Sequence, residues 1–448
     1  MSRPPLPAGP YLVVGLARSG TAAALALAAR GEHVLGTDRG GAAPAELVAA
    51  GVELVADWDG ALTRVGCVVK SPGVPAGAAP IVAARERGIA VIGELELAWR
   101  MLENEFVAVT GTNGKTTTVE LIGEMFRRAG AGVAVAGNVG HALSRLATPP
   151  PHGEAPLDPA LTVICEASSF QLEDTIAFAP HGAVLLNLAP DHLDRHGDME
   201  AYTAAKLRLF ANQGPGDFAL LPVAGVGASV PGRAARLTFG AGAEADLRSD
   251  GEWLWWQGER LVARGAIRLR GEHNAENAMA AAAAALAWGV PAEAVAEALE
   301  TFAGVPHRLE EIATREGVLF VNDSKGTNVA STLVALRSFE PGSVHVILGG
   351  RGKGEDFSRL REEVVARARA VYLIGESTAE ITAALGPAAA AAGIEVTACG
   401  TLERALAAAR EAAVEGEVVL LSPAATSFDQ FRDYEARGDQ FRRLVSAD

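Results

Sequence analysis

Val109-Thr110-Gly111-Thr112-Asn113-Gly114-Lys115-Thr116-Thr117 follows the apolar run Phe106 to Val109 and precedes a helical pattern, so it lies where a strand turns into a helix. A turn of this composition is a phosphate-binding loop. Its glycines let backbone N–H groups close around phosphate oxygens, Lys115 brings a positive charge, and the Thr116 hydroxyl can hold Mg²⁺ beside the phosphates. A nucleoside triphosphate is the expected ligand. The usual spacing asks for glycine at position 109, where this chain has Val, so the loop is a shortened variant. A Gly-rich turn carrying Gly-Lys-Thr by chance is the alternative.

Around this loop the chain alternates strands and helices. Tyr11 to Val14, His33 to Gly36, Cys67 to Val69 and Ala90 to Ile92 read as strands, with helices at Thr21 to Arg30 and Ile81 to Arg87 between them, which is the order of a parallel α/β unit. A second unit begins near Glu94, with strands at Val133 to Ala136, Leu161 to Cys165 and Ala183 to Asn187. Ala147 to Pro151 reads as an exposed loop. Arg236 to Arg270 is Gly-punctuated and alternating, which predicts antiparallel hairpins beside the main sheet, with Trp253 and Trp255 in the core. Helices at Ala275 to Trp288 and Ala292 to Phe302 close this unit. A third starts near Val305, with strands at Leu319 to Val321, Val344 to Leu348, Val371 to Ile374 and Val418 to Leu421, and helices at Phe357 to Ala368 and Leu402 to Ala412. The fold class is α/β, three units in series, matching the number of domains that 448 residues suggest.

Composition narrows the partners. A net charge of −15 argues against a general nucleic-acid binder and favours small molecules. Cys67, Cys165 and Cys399 offer neither a disulfide framework nor a zinc pattern, pointing to a reducing cytoplasm. The first residues lack the apolar core of a signal peptide, and the longest apolar stretch, Ala278 to Val290, is too short to span a bilayer. No membrane partner is expected, and a monomer is.

Further polar clusters fall at strand ends. Gly15-Leu16-Ala17-Arg18-Ser19-Gly20 resembles a dinucleotide fingerprint with Ala for the second glycine, and Asp38 ends the next strand, where a ribose-binding acid would lie. A plain β-α turn and a nicotinamide enzyme remain open from these residues alone. Glu166 to Glu173 follows a strand, so Glu166 could hold Mg²⁺ with Thr116; Asp191-His192-Leu193-Asp194-Arg195-His196 follows the next and could bind a second metal.

At these positions the chain resembles the Mur ligases, whose loop carries the pattern found at Thr110 to Thr116. The likeness is strongest to the branch that adds D-glutamate. It extends to Gly137-Asn138-Val139-Gly140, Ser168 to Glu173, Asp191 to Arg195, Tyr202 to Lys206, Pro306-His307-Arg308, Asn322 to Lys325, Leu348-Gly349-Gly350, and Leu421 to Phe431. It implies a Rossmann-like UDP-binding domain at residues 1–93, a central phosphate-loop ATPase-type domain at 94–304 with a mainly parallel sheet plus a small antiparallel one, and a Rossmann-like C-terminal domain at 305–448 that binds the amino acid. The implied reaction joins D-glutamate to UDP-N-acetylmuramoyl-L-alanine through an acyl phosphate, using ATP and two Mg²⁺.

By the same resemblance, Leu16, Ser19, Gly20, Asp38, Ser71 and Gly73 would hold the UDP handle, with Asn138 and His192 at the muramoyl-alanine end. Gly111, Thr112, Asn113, Gly114, Lys115, Thr116 and Thr117 would bind the ATP phosphates, Asn274 and Asn277 the adenine side, and Arg308 and Asp323 the nucleotide from the C-terminal domain. Thr116 and Glu166 would hold one Mg²⁺, and His192 and Lys206 the second, with Lys206 as a carbamate. Lys325 would neutralise charge, and Thr327, Lys353, Ser427 and Tyr434 would read D-glutamate. Three departures bear on that pocket: Gly326 where Ala is common, Arg351 where an acid is common, and Tyr434 where Phe is common.

Overall fold

Strands that are apolar along their whole length can only be satisfied inside a sheet covered on both faces, and three such sheets organise the chain. The computed structural model describes residues 3–40, 44–138, 141–148, 157–224, 230–269, 271–352, 354 and 356–447, without the Asp194 side chain. Val139, Gly140, Pro149 to Pro151, Arg270 and Lys353, all singled out in the sequence, lie outside these residues.

The first sheet contains β1 (Tyr11–Val14), β2 (Val34–Thr37), β3 (Glu53–Leu54), β4 (Cys67–Lys70) and β5 (Ala90–Gly93), in the order β3-β2-β1-β4-β5, every pair parallel. Strand order reverses between β1 and β4, so a crevice opens at their carboxyl ends, where the Gly15 and Ser71 turns lie. The helix after β1 starts at Arg18 rather than Thr21, and in its first turn Gly20 packs directly on the Gly15 turn: a Cβ there would stand 1.8 Å from Gly15 O.

The second sheet has nine strands: β6 (Phe106–Thr110), β7 (Val133–Gly137), β8 (Thr162–Glu166), β9 (Gly182–Leu185), β10 (Phe218–Pro222), β11 (Ala235–Gly240), β12 (Leu247–Ser249), β13 (Trp253–Trp256) and β14 (Glu259–Ala263). Their order is β14-β13-β12-β11-β10-β9-β6-β8-β7. β6 is wholly buried and paired in parallel with β8 and β9, so the carboxyl ends of all three face one edge. The expected antiparallel hairpins do not form a separate sheet. β11 runs parallel to β10 and β12 parallel to β11, and only β12-β13 and β13-β14 are antiparallel, all within the same sheet. Alternating hydrophobicity reports a strand with one covered face; it carries no information on strand direction. The Trp pair is likewise not core. Leu254 is the buried residue of β13, and Trp253 and Trp255 lie half-buried on the other face under the Arg260 guanidinium, 4.9 and 5.2 Å from the two rings.

The chain packs into two compact units, residues 1–267 with 273–301 and residues 268–272 with 302–448, so the first two sheets share one unit. The second unit holds β15 (Glu310–Arg315), β16 (Val318–Asn322), β17 (Val344–Gly349), β18 (Ala368–Ile374), β19 (Glu395–Gly400) and β20 (Val418–Leu421), ordered β15-β16-β20-β17-β18-β19. All pairs are parallel except β15-β16. Among the described residues no helix is long and apolar enough to cross a membrane.

Inside the first unit, one buried carboxylate ties the helix Glu94–Met101 to the segment that precedes β9. Glu96, with no exposed surface, accepts hydrogen bonds from the backbone N–H groups of Ile176, Ala177 and Phe178 at 3.0–3.1 Å and pairs with Arg100 at 2.7 Å. Removing it strands three donors and a guanidinium. Glu96→Ala is therefore expected to destabilise this unit by about 3–5 kcal/mol, read as a lower urea midpoint by tryptophan fluorescence.

Candidate active site

The loop after β6 is held in shape before any ligand binds. Gly114 caps the helix Lys115–Arg128 in the left-handed region, φ +87°, and Asn277 of the helix Glu272–Trp288 is seated against it: an added Cβ would lie 2.0 Å from Asn277 Oδ1. Asn277 Nδ2 in turn donates to Asn274 Oδ1 at 3.1 Å. The two asparagines expected at the adenine side thus also buttress the loop. From the end of β9, Asn187 latches it twice, its Oδ1 accepting from Asn113 N–H at 2.9 Å and its Nδ2 donating to Asn113 O at 3.2 Å. Thr112 Oγ1 accepts from Ala189 N–H at 3.0 Å and lies 3.2 Å from the Tyr202 hydroxyl. Asn187 and Tyr202 are not among the residues the sequence points to as site residues; only the pairing of β9 beside β6 brings Asn187 to the loop.

Charge is concentrated here. Lys115 Nζ donates to Gly111 O at 2.9 Å and Thr112 O at 3.0 Å, and Lys206 Nζ donates to the same Gly111 carbonyl at 2.7 Å. Burial first, and then the Lys115 charge, pull the Lys206 ammonium down to about 7 against the opposing effect of Asp191 and Glu166. Glu166, at the end of β8 and 2 % exposed, accepts from Thr116 Oγ1 at 2.8 Å and from Asn138 Nδ2 at 3.1 Å. Thr117, also buried, follows on the same helix. A hydroxyl and a buried carboxylate beside a phosphate loop suit Mg²⁺, which takes few protein oxygens and completes its shell with phosphate and water. Among the described residues no group of three or more His, Cys, Asp or Glu is placed to hold a metal ion. His192 is exposed, in the left-handed region at φ 52°, with its ring 4.7 Å from Phe170 and its Nε2 3.4 Å from Asp191 Oδ2.

At the first-sheet crevice Ser71 Oγ donates to Gly15 O at 2.6 Å. Asp38 is exposed, yet its carboxylate already accepts from Gly40 N–H at 2.7 Å and Leu16 N–H at 2.6 Å, and these bonds hold it below the usual carboxylate range. It braces the loop as well as facing outward. Ser19 is half-buried in the first helical turn, and Gly73 is exposed.

In the second unit, the carboxyl ends of β16 and β20 bring Asp323 to Ser422, whose Oγ donates to Asp323 Oδ2 at 2.7 Å; the Leu309 N–H donates to Oδ1 at 3.3 Å. Burial pushes the Asp323 carboxyl up to about 6 against the Ser422 hydrogen bond and the charge of Arg308. Gly326 is explained by this packing, since a Cβ would lie 2.4 Å from Asp323 Oδ2. Lys325 Nζ stands 5.9 Å over the Tyr434 ring, and Thr327 N–H donates to Lys325 O at 2.8 Å. Ser427 is buried, its carbonyl accepting from Gln430 and Phe431 N–H groups. Arg351 forms a two-pronged pair with Glu376, both bonds 3.0 Å, while its backbone pairs with Thr426. The residue missed in the sequence is Arg437, 1 % exposed, which donates to Ser324 Oγ at 3.0 Å, Ser324 O at 2.8 Å and Ala425 O at 3.2 Å, tying the two loops together. Its position four and eight residues before Phe441 and Val445, on an apolar helix face, is the signal that it is buried.

Strand, glycine loop and helix in this order define a phosphate-loop α/β protein. Family profiles for the "Mur ligase middle domain" and the "Mur ligase, glutamate ligase domain" match residues 109–285 and 307–425. Proteins named UDP-N-acetylmuramoylalanine--D-glutamate ligase are similar along the chain: that of Pelotomaculum thermopropionicum is 42% identical over 97% of this chain and 96% of its own, and that of Anaeromyxobacter dehalogenans is 42% identical over 100% and 99%. Among solved structures, a UDP-N-acetylmuramate-alanine ligase from Thermotoga maritima shares the fold at TM-score 0.60 and 20% identity, over 98% of this chain and 100% of that one. The chain belongs to the Mur ligase family.

Lys206 yields a pH prediction. Below about pH 7 the folded and unfolded chains both carry the proton, and burying the charged ammonium opposes folding; between about 7 and 10.5 only the unfolded chain holds it, so stability rises with pH across that window. In CO₂-free buffer, Lys206→Met should therefore compare more favourably with the unaltered protein at pH 6 than at pH 9, as measured by melting temperature.

Proposed function

We propose that this chain is the ATP-dependent ligase that joins D-glutamate to UDP-N-acetylmuramoyl-L-alanine, releasing ADP and phosphate, in the synthesis of peptidoglycan precursor. The observation that carries the reading is the convergence of Lys115 Nζ and Lys206 Nζ on the Gly111 carbonyl beside the buried Glu166, in a chain of this family. Lys115 supplies the positive charge a polyphosphate needs, and the buried carboxylate marks the place for a metal.

The chemistry follows from a poor leaving group. The alanine carboxylate attacks the γ-phosphate of ATP and displaces ADP, giving an acyl phosphate; the amine of D-glutamate then attacks the acyl carbon, phosphate departs, and the amine gives up a proton as the amide forms. Little covalent work falls to the protein; its contribution is positioning and charge neutralisation. We assign residues 1–93 to the UDP handle through Leu16, Ser19, Gly20, Asp38, Ser71 and Gly73, residues 94–304 to ATP through Gly111 to Thr117, Asn274 and Asn277, and residues 305–448 to D-glutamate through Thr327, Lys353, Ser427 and Tyr434. Asn138 and His192 orient the muramoyl-alanine end; Arg308, Asp323 and Lys325 serve the nucleotide and the transferred charge. Thr116 and Glu166 would hold Mg²⁺, which supplies neutralisation of the phosphate oxygens. A second Mg²⁺ beside His192 would draw on Lys206 as a carbamate: the neutral amine, abundant when the ammonium is depressed to about 7, attacks CO₂ and releases one proton.

Phosphate release that requires UDP-N-acetylmuramoyl-L-alanine, D-glutamate and ATP together is the test, and release with ATP alone would defeat the reading. Lys115→Ala is expected to abolish ligation while leaving UDP-substrate binding and the far-UV spectrum unchanged. Near-normal turnover in that folded variant would remove the loop from the catalytic account. Lys353→Ala should weaken D-glutamate use roughly tenfold to a hundredfold, the value of a charge-assisted hydrogen bond, with ATP affinity little altered; steady-state kinetics with each substrate varied in turn checks this.

A further inference from the structure

Lys70 ends β4, and its side chain has no exposed surface. A charge at that depth must be met by acceptors on all sides. Its Nζ donates to Val74 O at 2.9 Å and to Glu173 Oε1 at 3.0 Å, and it stands 2.7 Å from Asp174 Oδ2. Arg195 reaches the same two acceptors from the segment after β9: its Nη2 donates to Val74 O at 3.0 Å and to Glu173 Oε1 at 2.6 Å. Two cations, one at the end of a first-sheet strand and one beyond a second-sheet strand, thus share one carbonyl and one carboxylate oxygen.

One shared acceptor, Val74, and Arg195 itself lead to residues assigned to substrate. Val74 closes the turn that Ser71 opens, its N–H donating to Ser71 O at 3.0 Å. The Arg195 guanidinium lies 4.5 Å over the Phe170 ring, which in turn meets the His192 ring at 4.7 Å and the His196 ring at 5.4 Å. A continuous line of contacts therefore runs from the Ser71 turn through Val74, Arg195 and Phe170 to His192. His192 is an exposed residue at the start of the short helix Leu193–His196 and its carbonyl accepts from the Arg195 N–H at 3.1 Å, so both the helix and this line tie it to Arg195 and through Arg195 to the first sheet.

We propose that Lys70, Glu173 and Arg195 are positioning residues that hold the Ser71–Val74 turn in register with the His192 loop, and so set where the UDP-linked substrate lies relative to the phosphate loop. The inference rests on the assignment of Ser71 and His192 to that substrate. A network that merely stabilised the unit would alter unfolding and leave the kinetic constants of the folded enzyme alone.

The test uses the full chain with Arg195→Ala, Arg195→Lys, Glu173→Gln and the double variant Arg195→Ala/Glu173→Gln, comparing steady-state kinetics for each substrate with melting temperature. Arg195→Ala should raise the KM for UDP-N-acetylmuramoyl-L-alanine roughly tenfold or more and change the KM for ATP by less than about twofold. Arg195→Lys should recover part of the loss, because an ammonium can serve both acceptors but cannot stack flat on Phe170. The double variant should lose less than the product of the single losses, since the shared bond is counted once. A lowered melting temperature with an unchanged KM for the UDP-linked substrate, or an equal rise in every KM, would overturn the inference and leave the proposed function standing. An unaltered protein that releases no phosphate with all three substrates would overturn the proposed function and this inference with it.

Discussion

The left-handed turn at Gly114, with Asn277 packed where a side chain would otherwise stand, is the constraint from which the rest of the first unit's site follows. Only glycine takes φ +87° there without strain, and only its missing Cβ lets the helix Glu272–Trp288 come close enough to press on the loop. Once the turn is made, the first N–H groups of the next helix point into the loop, and the Gly111 carbonyl is left to receive two lysines. A loop braced by Asn277 on one side and Asn187 on the other needs little rearrangement to accept phosphate, and reorganisation avoided at binding becomes available to the reaction.

Electrostatics in the two units are arranged in opposite senses. Around the phosphate loop, positive charge is crowded and one carboxylate, Glu166, is buried among neutral donors. In the second unit the buried pair is divided: Asp323 is satisfied by Ser422 and the Leu309 N–H, while Arg437, lowered to about 10 by burial, directs its donors to the Ser324 and Ala425 loops. Arg437 is therefore a cross-brace between the carboxyl ends of β16 and β20, the two strands whose following loops carry Lys325 and Ser427. The surface pair of Arg351 with Glu376 accounts for a basic residue at that position without giving it a place in the pocket.

Much is legible in the sequence because parallel α/β sheets write themselves plainly: short runs of Val, Leu, Ile and Ala, fully buried, punctuated by glycine turns at the carboxyl ends. Four of the five strands from Tyr11 to Ile92, the loop after Phe106 to Thr110 and the helix that follows it are readable within a few residues, as is the convergence of polar clusters on sheet edges, whereas the two-residue strand Glu53–Leu54 and its short flanking helices are too brief to show a pattern. Strand direction in the region after Ala235 is not, because alternation has the same period in parallel and antiparallel pairs. Burial of Trp253 and Trp255 is wrongly expected for a related reason: size and apolarity favour it, but β13 offers its buried face to Leu254, and the cation of Arg260 covers the rings instead.

The sequence by itself determined the local chemistry: which residues could turn, which could hold a phosphate, and which strands had to be buried on both faces. Each of those properties is set by side chains a few positions apart, so no long-range pairing is needed to read it. Only the tertiary structure decided which distant residues share an atom. Lys206 on the Gly111 carbonyl, Glu166 between Thr116 and Asn138, Arg195 on Val74, and Arg437 across two loops all depend on strand order, which joins positions between 28 and 121 residues apart. A buried charge takes its meaning from its partners, and those are supplied by the sheet.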